Sequence, residues 1–450
     1  MVLFNFPHPC FFPNSNTPPQ TTDSNTYVLN PYGFQTEKSW PDWRSFVLPK
    51  MKTSHRTLFL LSPWAILLCG TKDNMKPVSL TVIASLLAAP ATAVEYMVTT
   101  CADLADVDDT QVTGLTIDAS TFACDEYTRF RVRNSMTLKA TVSAVEFGNF
   151  SLKVLGELTV EPDVTFNGVV NQVKNGGVLS VAEGATATFM GTSEFSDNSV
   201  AAKQMGPIIE GDFLVTGRGV SYVVKKGGAI HNKGTLTFEG DATFERNESR
   251  TEDSNEDGKA GAISNTSSGT ILFKSKLTMN DNDTDGQYGG LGGAMYNRGE
   301  IVVEGESLFS ENRSSDGGGI YQTSIGTMTF NSMATFFHNV AGNLRGGGLM
   351  NDGGVVNINA GSLFEQNFAA ANADGGYGGA IYNRNGGVVT LMGPTTFREN
   401  GAWWGGAIYT DDGYPASVTT FPDDTVFEDN SADEYCPDVH NGDDNNCPVV

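Results

Sequence analysis

Between residues 136 and 430 apolar and polar positions alternate with a period near two, in short runs closed by Gly, Asn or Asp. Such runs predict β-strands, and the abundance of glycine, 51 in 450 residues, argues against helices. From Gly227 the runs recur in a fixed order, Gly-Gly-Ala-Ile or a close variant and then Phe-x-x-Asn. The first landmark begins at Gly227, Ala260, Gly292, Gly317, Gly346, Gly378 and Gly405. The second runs from Phe244 to Asn247, Met279 to Asn282, Phe309 to Asn312, Phe336 to Asn339, Phe364 to Asn367, Phe397 to Asn400 and Phe427 to Asn430. The spacing of successive starts, roughly 25 to 33 residues, is that of a solenoid rung. Each copy reads as three short strands, as in "GGAMYN", "GEIVVEG" and "SLFSEN" over residues 292 to 312.

Stacking such rungs about 4.8 Å apart gives every backbone N–H and C=O a partner in the next rung. The expectation is an all-β, right-handed parallel β-helix of roughly ten rungs and near 50 Å in length, from about residue 125 to 432. Ile230, Ile263, Met295, Ile320, Leu349, Ile381 and Ile408 would form one apolar column and the phenylalanines another, with the following asparagines laddering their amides. Glycine at the head of the repeat supplies a tight corner or a positive φ. Residues 136 to 226 keep the alternation without Gly-Gly-Ala-Ile and read as earlier, less regular coils, with Phe195 to Asn198 as one complete landmark. Residues 227 to 432 form the regular repeat, 94 to 135 an N-terminal cap and 433 to 450 an acidic, Cys-containing tail.

Residues 1 to 74 hold no repeat and read as an upstream extension. From Met75 a secretory signal is complete: Lys76, the run "VSLTVIASLLAAP" and Ala91-Thr92-Ala93 before Val94. Met75 is then the expected first residue, with Met1 and Met51 as rival starts. The apolar run Leu58 to Cys69 is short for a membrane anchor and broken by Ser62 and Pro63, so no transmembrane span is expected in the mature chain. Removing residues 1 to 93 takes away seven Lys/Arg and four Asp/Glu and moves the formal charge from −24 to −27. So acidic a surface argues against nucleic acid and anionic membranes as partners and attracts cations. The remaining cysteines, Cys101 with Cys124 and Cys436 with Cys447, lie as two local pairs at the two ends and read as disulfides fastening the caps. Solenoid ends expose open sheet edges that need covering.

The paired motifs, as they stand in "GGAIHN…FERN", "GGAMYN…FSEN" and "GGAIYN…FREN", resemble those of the chlamydial polymorphic outer membrane protein repeat family, over residues 227 to 430. The resemblance implies a β-helical passenger exposed on a cell surface and linked to adhesion. Members of that family end in an outer-membrane β-barrel; no such sequence follows the repeats here up to Val450. The implied role is therefore a secreted or surface-associated adhesive solenoid without autotransport.

No G-x-S-x-G, H-E-x-x-H, CxxC or phosphate-binding loop is present, and His231, His338 and His440 are far apart in sequence. Parallel β-helices also host polysaccharide lyases, epimerases and glycosidases, so a carbohydrate-active enzyme is the alternative to a noncatalytic protein. Two turns carry sharper chemistry. Asp253-x-Asn255-x-Asp257-Gly258 and Asp281-x-Asp283-x-Asp285-Gly286 set oxygen ligands at alternate positions before a glycine, as the first half of a calcium loop does. Neither reaches a Glu at the twelfth position, where Ser264 and Gly292 stand, so an EF-hand is excluded and calcium would need further ligands from elsewhere. If Ile and the Asn two residues on face inward, Tyr296, Tyr321, Tyr382 and Tyr409 face outward as a ladder. Exposed, it would stack on sugar rings of an extracellular polysaccharide or cell-surface glycan; packed together, it would stabilise the sheet. Sequons occur at Asn149, Asn247, Asn265, Asn282 and Asn312. Landmark asparagines point inward, which leaves Asn149 and Asn265 as the glycosylation candidates, Asn265 lying in the second asparagine column.

Overall fold

The computed structural model describes residues 58–60, 65–68 and 93–447, apart from 172–174, 202–225, 251–257, 285–288, 371–374, 412, 414 and 443–446. The chain divides into two units, Met1–Ala89 and Pro90–Val450. In the first, Leu58–Leu60 pairs antiparallel with Ala65–Leu68. The signal segment at 75–92 lies outside the described residues.

The second unit is a parallel β-helix. Each regular rung has three strands of three or four residues, such as Ile230–Asn232, Thr235–Phe238 and Ala242–Glu245, and each pairs in register with its counterpart in the next rung. We call these the first, second and third faces. The second face is a 12-stranded parallel sheet that opens at Val94–Val98 and closes at Val418–Thr420. The stack therefore starts some thirty residues before the expected position. Val94–Val98 already pairs in parallel with Val112–Ile117, so residues 94–135 are part of the stack and not a separate cap. At the other end Val439–Asn441 adds a strand to the first face beyond residue 432.

The interior is built of files. Phe147, Phe166, Phe195 and Phe244 stack at 4.8, 5.3 and 4.8 Å between centroids; Met279 interrupts the file, which resumes through Phe309, Phe336, Phe364, Phe397 and Phe427 at 4.7 to 5.1 Å. Second-face phenylalanines meet them edge-on, Phe238 lying 6.0 Å from Phe244 at 87°. The Ile column forms as expected, all fully buried. Burying each such side chain contributes about 2 kcal/mol.

The landmark asparagines form a continuous amide ladder from Asn198 to Asn430. From Asn198 to Asn400 each Nδ2 donates to the Oδ1 of the next at 2.9 to 3.0 Å and to the carbonyl of the landmark residue one rung back, a phenylalanine except at Asn312, whose acceptor is Met279. A second ladder runs Asn232, Asn265, Asn297, Gln322, and resumes at Asn351 to Asn383. The two glycines at the head of the repeat have different duties. The first takes φ between 61 and 73° at every head that has a Gly, and Ala260 adopts 62° in its place. The second lets rungs touch: a Cβ on Gly293 would sit 2.1 Å from the Gly318 carbonyl oxygen. In sequence, much of the variation in rung length falls between the landmark Asn and the next head, where 251–257, 285–288 and 371–374 lie. Both expected disulfides are present, Cys101–Cys124 and Cys436–Cys447, and Cys436 occupies a head position with φ 50°.

Candidate functional site

In every Phe-x-x-Asn the residue before the asparagine is left-handed. Asp197, Arg246, Asp281, Glu311, His338, Gln366, Glu399 and Asp429 all have φ between 50 and 58° and all are exposed. The turn is forced by the buried asparagine that follows, whose hydrogen bonds offset a cost of about 1 kcal/mol for a non-glycine residue in this region. The consequence is one polar side chain per rung projecting along a single edge. The motif held the signal for this edge: the residue before the Asn is always polar and never β-branched. Asp197 and Arg246 form a two-pronged ion pair here at 2.8 and 2.9 Å, and Arg246 also meets Glu245. Being half-exposed, the pair contributes little to stability.

Midway along this edge is a shallow groove of about 320 Å³ lined by Asp281, Asp283, Glu311, Arg313, His338 and Val340. Asp281, Glu311 and His338 come from the left-handed file, and Asp283, Arg313 and Val340 from the position two residues on. The fold thus brings Asp281 and Asp283 of the expected calcium loop together on the surface, with Asn282 between them turned into the ladder. Asp285, Asp253, Asn255 and Asp257 lie outside the described residues. Among the described residues no group of three or more His, Cys, Asp or Glu is placed to hold a metal ion. The groove offers three carboxylates, a guanidinium and an imidazole across adjacent rungs, enough to grip a polar ligand of mixed charge.

The tyrosine ladder requires a correction. Tyr296, Tyr321, Tyr382 and Tyr409 do point away from the main core, in register, but are only 5 to 7 % exposed. Residues just before the repeat heads fold over them, Leu291 among them. Lys259 caps Tyr296 at 5.1 Å, Arg345 caps Tyr382 at 6.0 Å, and Tyr377 and Trp404 pack around Tyr382 and Tyr409. A covered ladder presents no flat face to a sugar ring; it is a second, smaller core. Tyr321 donates to Asp352 at 2.7 Å, and Arg384 grips the same carboxylate at 3.0 and 3.1 Å. Burial would raise Asp352, but Arg384 and Tyr321 hold it below the usual carboxylate range, while burial followed by this carboxylate pushes the Tyr321 phenol well up. Burial also pushes Tyr382 up to about 12, against the pull of Arg384 and Arg345.

His231 stands at the same outward position between Ser180 and Ser264, 3 % exposed, and its Nδ1 has no hydrogen-bond partner among the described residues. Burial, then the charges of Lys233 and Lys226, bring its pKa down to about 3. A base depressed in the folded state binds fewer protons than in the unfolded one, so its contribution is intact above about pH 6.5 and is lost as pH falls toward 3. The expected result is a melting temperature that drops between pH 6.5 and 4 less steeply in His231→Ser, the residue found in both adjacent rungs, than in the parent. Equal slopes would remove His231 from the account.

Asn265 is fully buried and donates to Asn297 at 2.9 Å and to the Gly269 carbonyl at 3.1 Å, so a glycan has no room there. Asn149 is half-buried at φ 52° and donates to the Cys124 carbonyl at 3.1 Å. No helix among the described residues is long and apolar enough to cross a membrane.

The Chlamydia polymorphic membrane protein repeat model matches residues 394–411, a stretch that spans Phe397 to Asn400 and the following Gly405 head. The chain thus carries a repeat of that type, folded as parallel strands. No curated protein and no solved structure matches the chain.

Proposed function

We propose that this is a noncatalytic, secreted or cell-surface β-helix that acts in adhesion or in contact with extracellular glycans and matrix. The observation that carries the reading is the exposed edge, where each rung adds one projecting polar side chain and carboxylates predominate. A regular file of weakly interacting groups on a rigid support suits multivalent attachment, in which many modest contacts combine. The repeat at 394–411 supports a cell-surface location, since the repeat it matches is described from a membrane protein of Chlamydia. Binding of the protein to a glycan array and to cultured cells, weakened by Glu311→Lys together with Asp281→Lys, is the expected result. Binding unchanged by both substitutions would take the edge out of the reading.

The runner-up is a β-helix carbohydrate-active enzyme, favoured by the convergence of Asp281, Asp283 and Glu311 with Arg313 and His338. Cleavage or epimerisation of a uronate-containing polysaccharide, abolished by Glu311→Gln, would replace the adhesive reading by this one.

Calcium belongs to the same proposal. Asp281 and Asp283, joined by Asp285, would share a cation at the groove, offsetting their mutual repulsion and stabilising the fold by mass action. We expect a higher melting temperature in millimolar calcium than in EDTA, and no difference in Asp283→Ala with Asp285→Ala. Coincident curves for the parent in both buffers mean that the turn binds no calcium.

A further inference from the structure

Beside the file of left-handed residues lies a short fourth sheet, formed by Arg313–Asp316, Val340–Arg345, Phe368–Ala369, Gly401–Trp404 and Ser431–Tyr435 in parallel. Its outward positions continue the groove described above. Val340, which lines the groove, stands opposite Phe368, and Phe368 stands opposite Gly401. Along this file the charged Asp283 and Arg313 thus give way to Val340 and then to a ring. Phe368 is 47 % exposed and, among the described residues, is the one aromatic side chain in the strongly exposed apolar set. Its ring leans over Gly401, where a Cβ would sit 3.0 Å from the ring Cδ2. Trp403 follows on the next strand, one residue beyond the buried Ala402, and is half-buried. It rests against Gly375, which has φ 86° and where a Cβ would meet the indole Cδ1 at 3.2 Å. Two glycines make room for two rings, and among the described residues neither ring stacks on another.

We infer that Phe368 and Trp403 are the stacking platform for a neutral sugar ring of an extracellular polysaccharide. This rests on the glycan-binding reading above and gives it a place and a ligand class. A pyranose with equatorial hydroxyls, such as glucose or N-acetylglucosamine, has a face of axial C–H groups that packs on an aromatic ring, while its hydroxyls reach sideways for partners. The platform has both parts. Gln366 and Glu399, both exposed and two residues before Phe368 and Gly401, are joined by a hydrogen bond of 2.6 Å. A carboxylate and a carboxamide so joined keep further oxygen lone pairs to accept from hydroxyls. In the next rung, beside Trp403, Asp433 and Glu434 are exposed, and Glu434 accepts from the Trp404 indole at 3.0 Å. Carboxylates at both ends of the platform repel a uronate or a sulfated sugar, which makes the fitting ligand a neutral one. A protein partner is the less suitable occupant, because two rings and Val340 expose far less than the roughly 800 Å² that each side of a stable interface buries. The first-face tyrosines cannot serve instead, being only 5 to 7 % exposed.

The test measures binding of the full chain to cellohexaose, chitohexaose and hexagalacturonate by calorimetry and by tryptophan fluorescence. Binding of a neutral hexaose with a change in fluorescence, and no binding of hexagalacturonate, is the expected result. Phe368→Leu keeps an apolar cover on Gly401 but removes the ring; it and Trp403→Leu should each weaken binding about fivefold. Phe368→Tyr should retain it. If Trp403→Leu lowers the melting temperature of the fold, the comparison of Phe368→Leu with Phe368→Tyr decides the point. Neutral-sugar binding that survives both leucine variants but is lost in Asp281→Lys with Glu311→Lys overturns the inference and leaves the glycan reading at the charged groove. Preference for hexagalacturonate overturns it too. Attachment to cultured cells without binding of any hexaose overturns the inference and leaves adhesion standing, whereas absence of both removes the inference together with the reading beneath it.

Discussion

Gly293→Ala is expected to destabilise the β-helix by about 3 kcal/mol, while Gly292→Ala, one residue earlier, costs about 1 kcal/mol. The added Cβ at Gly293 falls 2.1 Å from the Gly318 carbonyl oxygen and 2.6 Å from both the amide nitrogen and the carbonyl oxygen of Arg313. All three are backbone atoms, and the two of Arg313 are committed to bonds between rungs, with Asn282 and Thr284, so they cannot retreat without breaking a ladder. At Gly292 an added Cβ would also meet backbone, 2.0 Å from the Met295 carbonyl oxygen within the same turn, at a positive φ of 73°; the chain shows that this local clash can be relieved, since Ala260 holds the equivalent place at 62°, fully buried. Melting curves of the two variants decide the point. A Gly292→Ala protein as unstable as Gly293→Ala would mean that backbone conformation, and not contact between rungs, selects the double glycine.

Asn339→Ala should cost more, about 4 kcal/mol, because one side chain serves four groups. Its Nδ2 donates to the Phe309 carbonyl and to Asn367 Oδ1, both at 2.9 Å. Its Oδ1 accepts from the Asn312 amide at 3.2 Å and from Asn312 Nδ2 at 2.9 Å. Alanine leaves the Phe309 carbonyl and the Asn312 donors buried without these partners, and each such group carries its full desolvation penalty. Asn339→Asp keeps the acceptor but loses the donor and buries a charge, so it should rescue nothing. Asn430→Ala, at the half-buried last step of the ladder, should lose appreciably less. Equal losses at the two sites would show that the ladder does not act through buried amides.

Which parts of this were legible in the sequence follows from what a single rung contains. The Ile and Phe columns and the asparagine ladder could be read directly, because each follows from one motif repeated in register. The role of the second glycine could not, since its necessity lies in the adjacent rung. The first coils escaped because Val94–Val98 and Val112–Ile117 pair with the rest without sharing a motif with it. At the tyrosines, the outward direction followed from alternation, but their cover comes from Lys259, Leu291, Arg345, Tyr377 and Trp404. That position has no residue type in common from rung to rung, so no pattern announced it. The groove at Asp281 was half visible: the alternate aspartates were plain, but Glu311, Arg313 and His338 arrive from later rungs.

The stretch that takes up much of the variation in rung length also has a hereditary meaning. Since each rung meets only its two neighbours, an in-frame gain or loss of one whole unit leaves every other contact as it was. Within a rung, a single added residue would turn a strand's inner side chains outward; between the landmark Asn and the next glycine pair it changes only the size of a loop. Recombination among similar units can therefore lengthen or shorten this molecule in whole steps, and selection can elaborate loops along one line of its surface, without the rest of the fold being renegotiated.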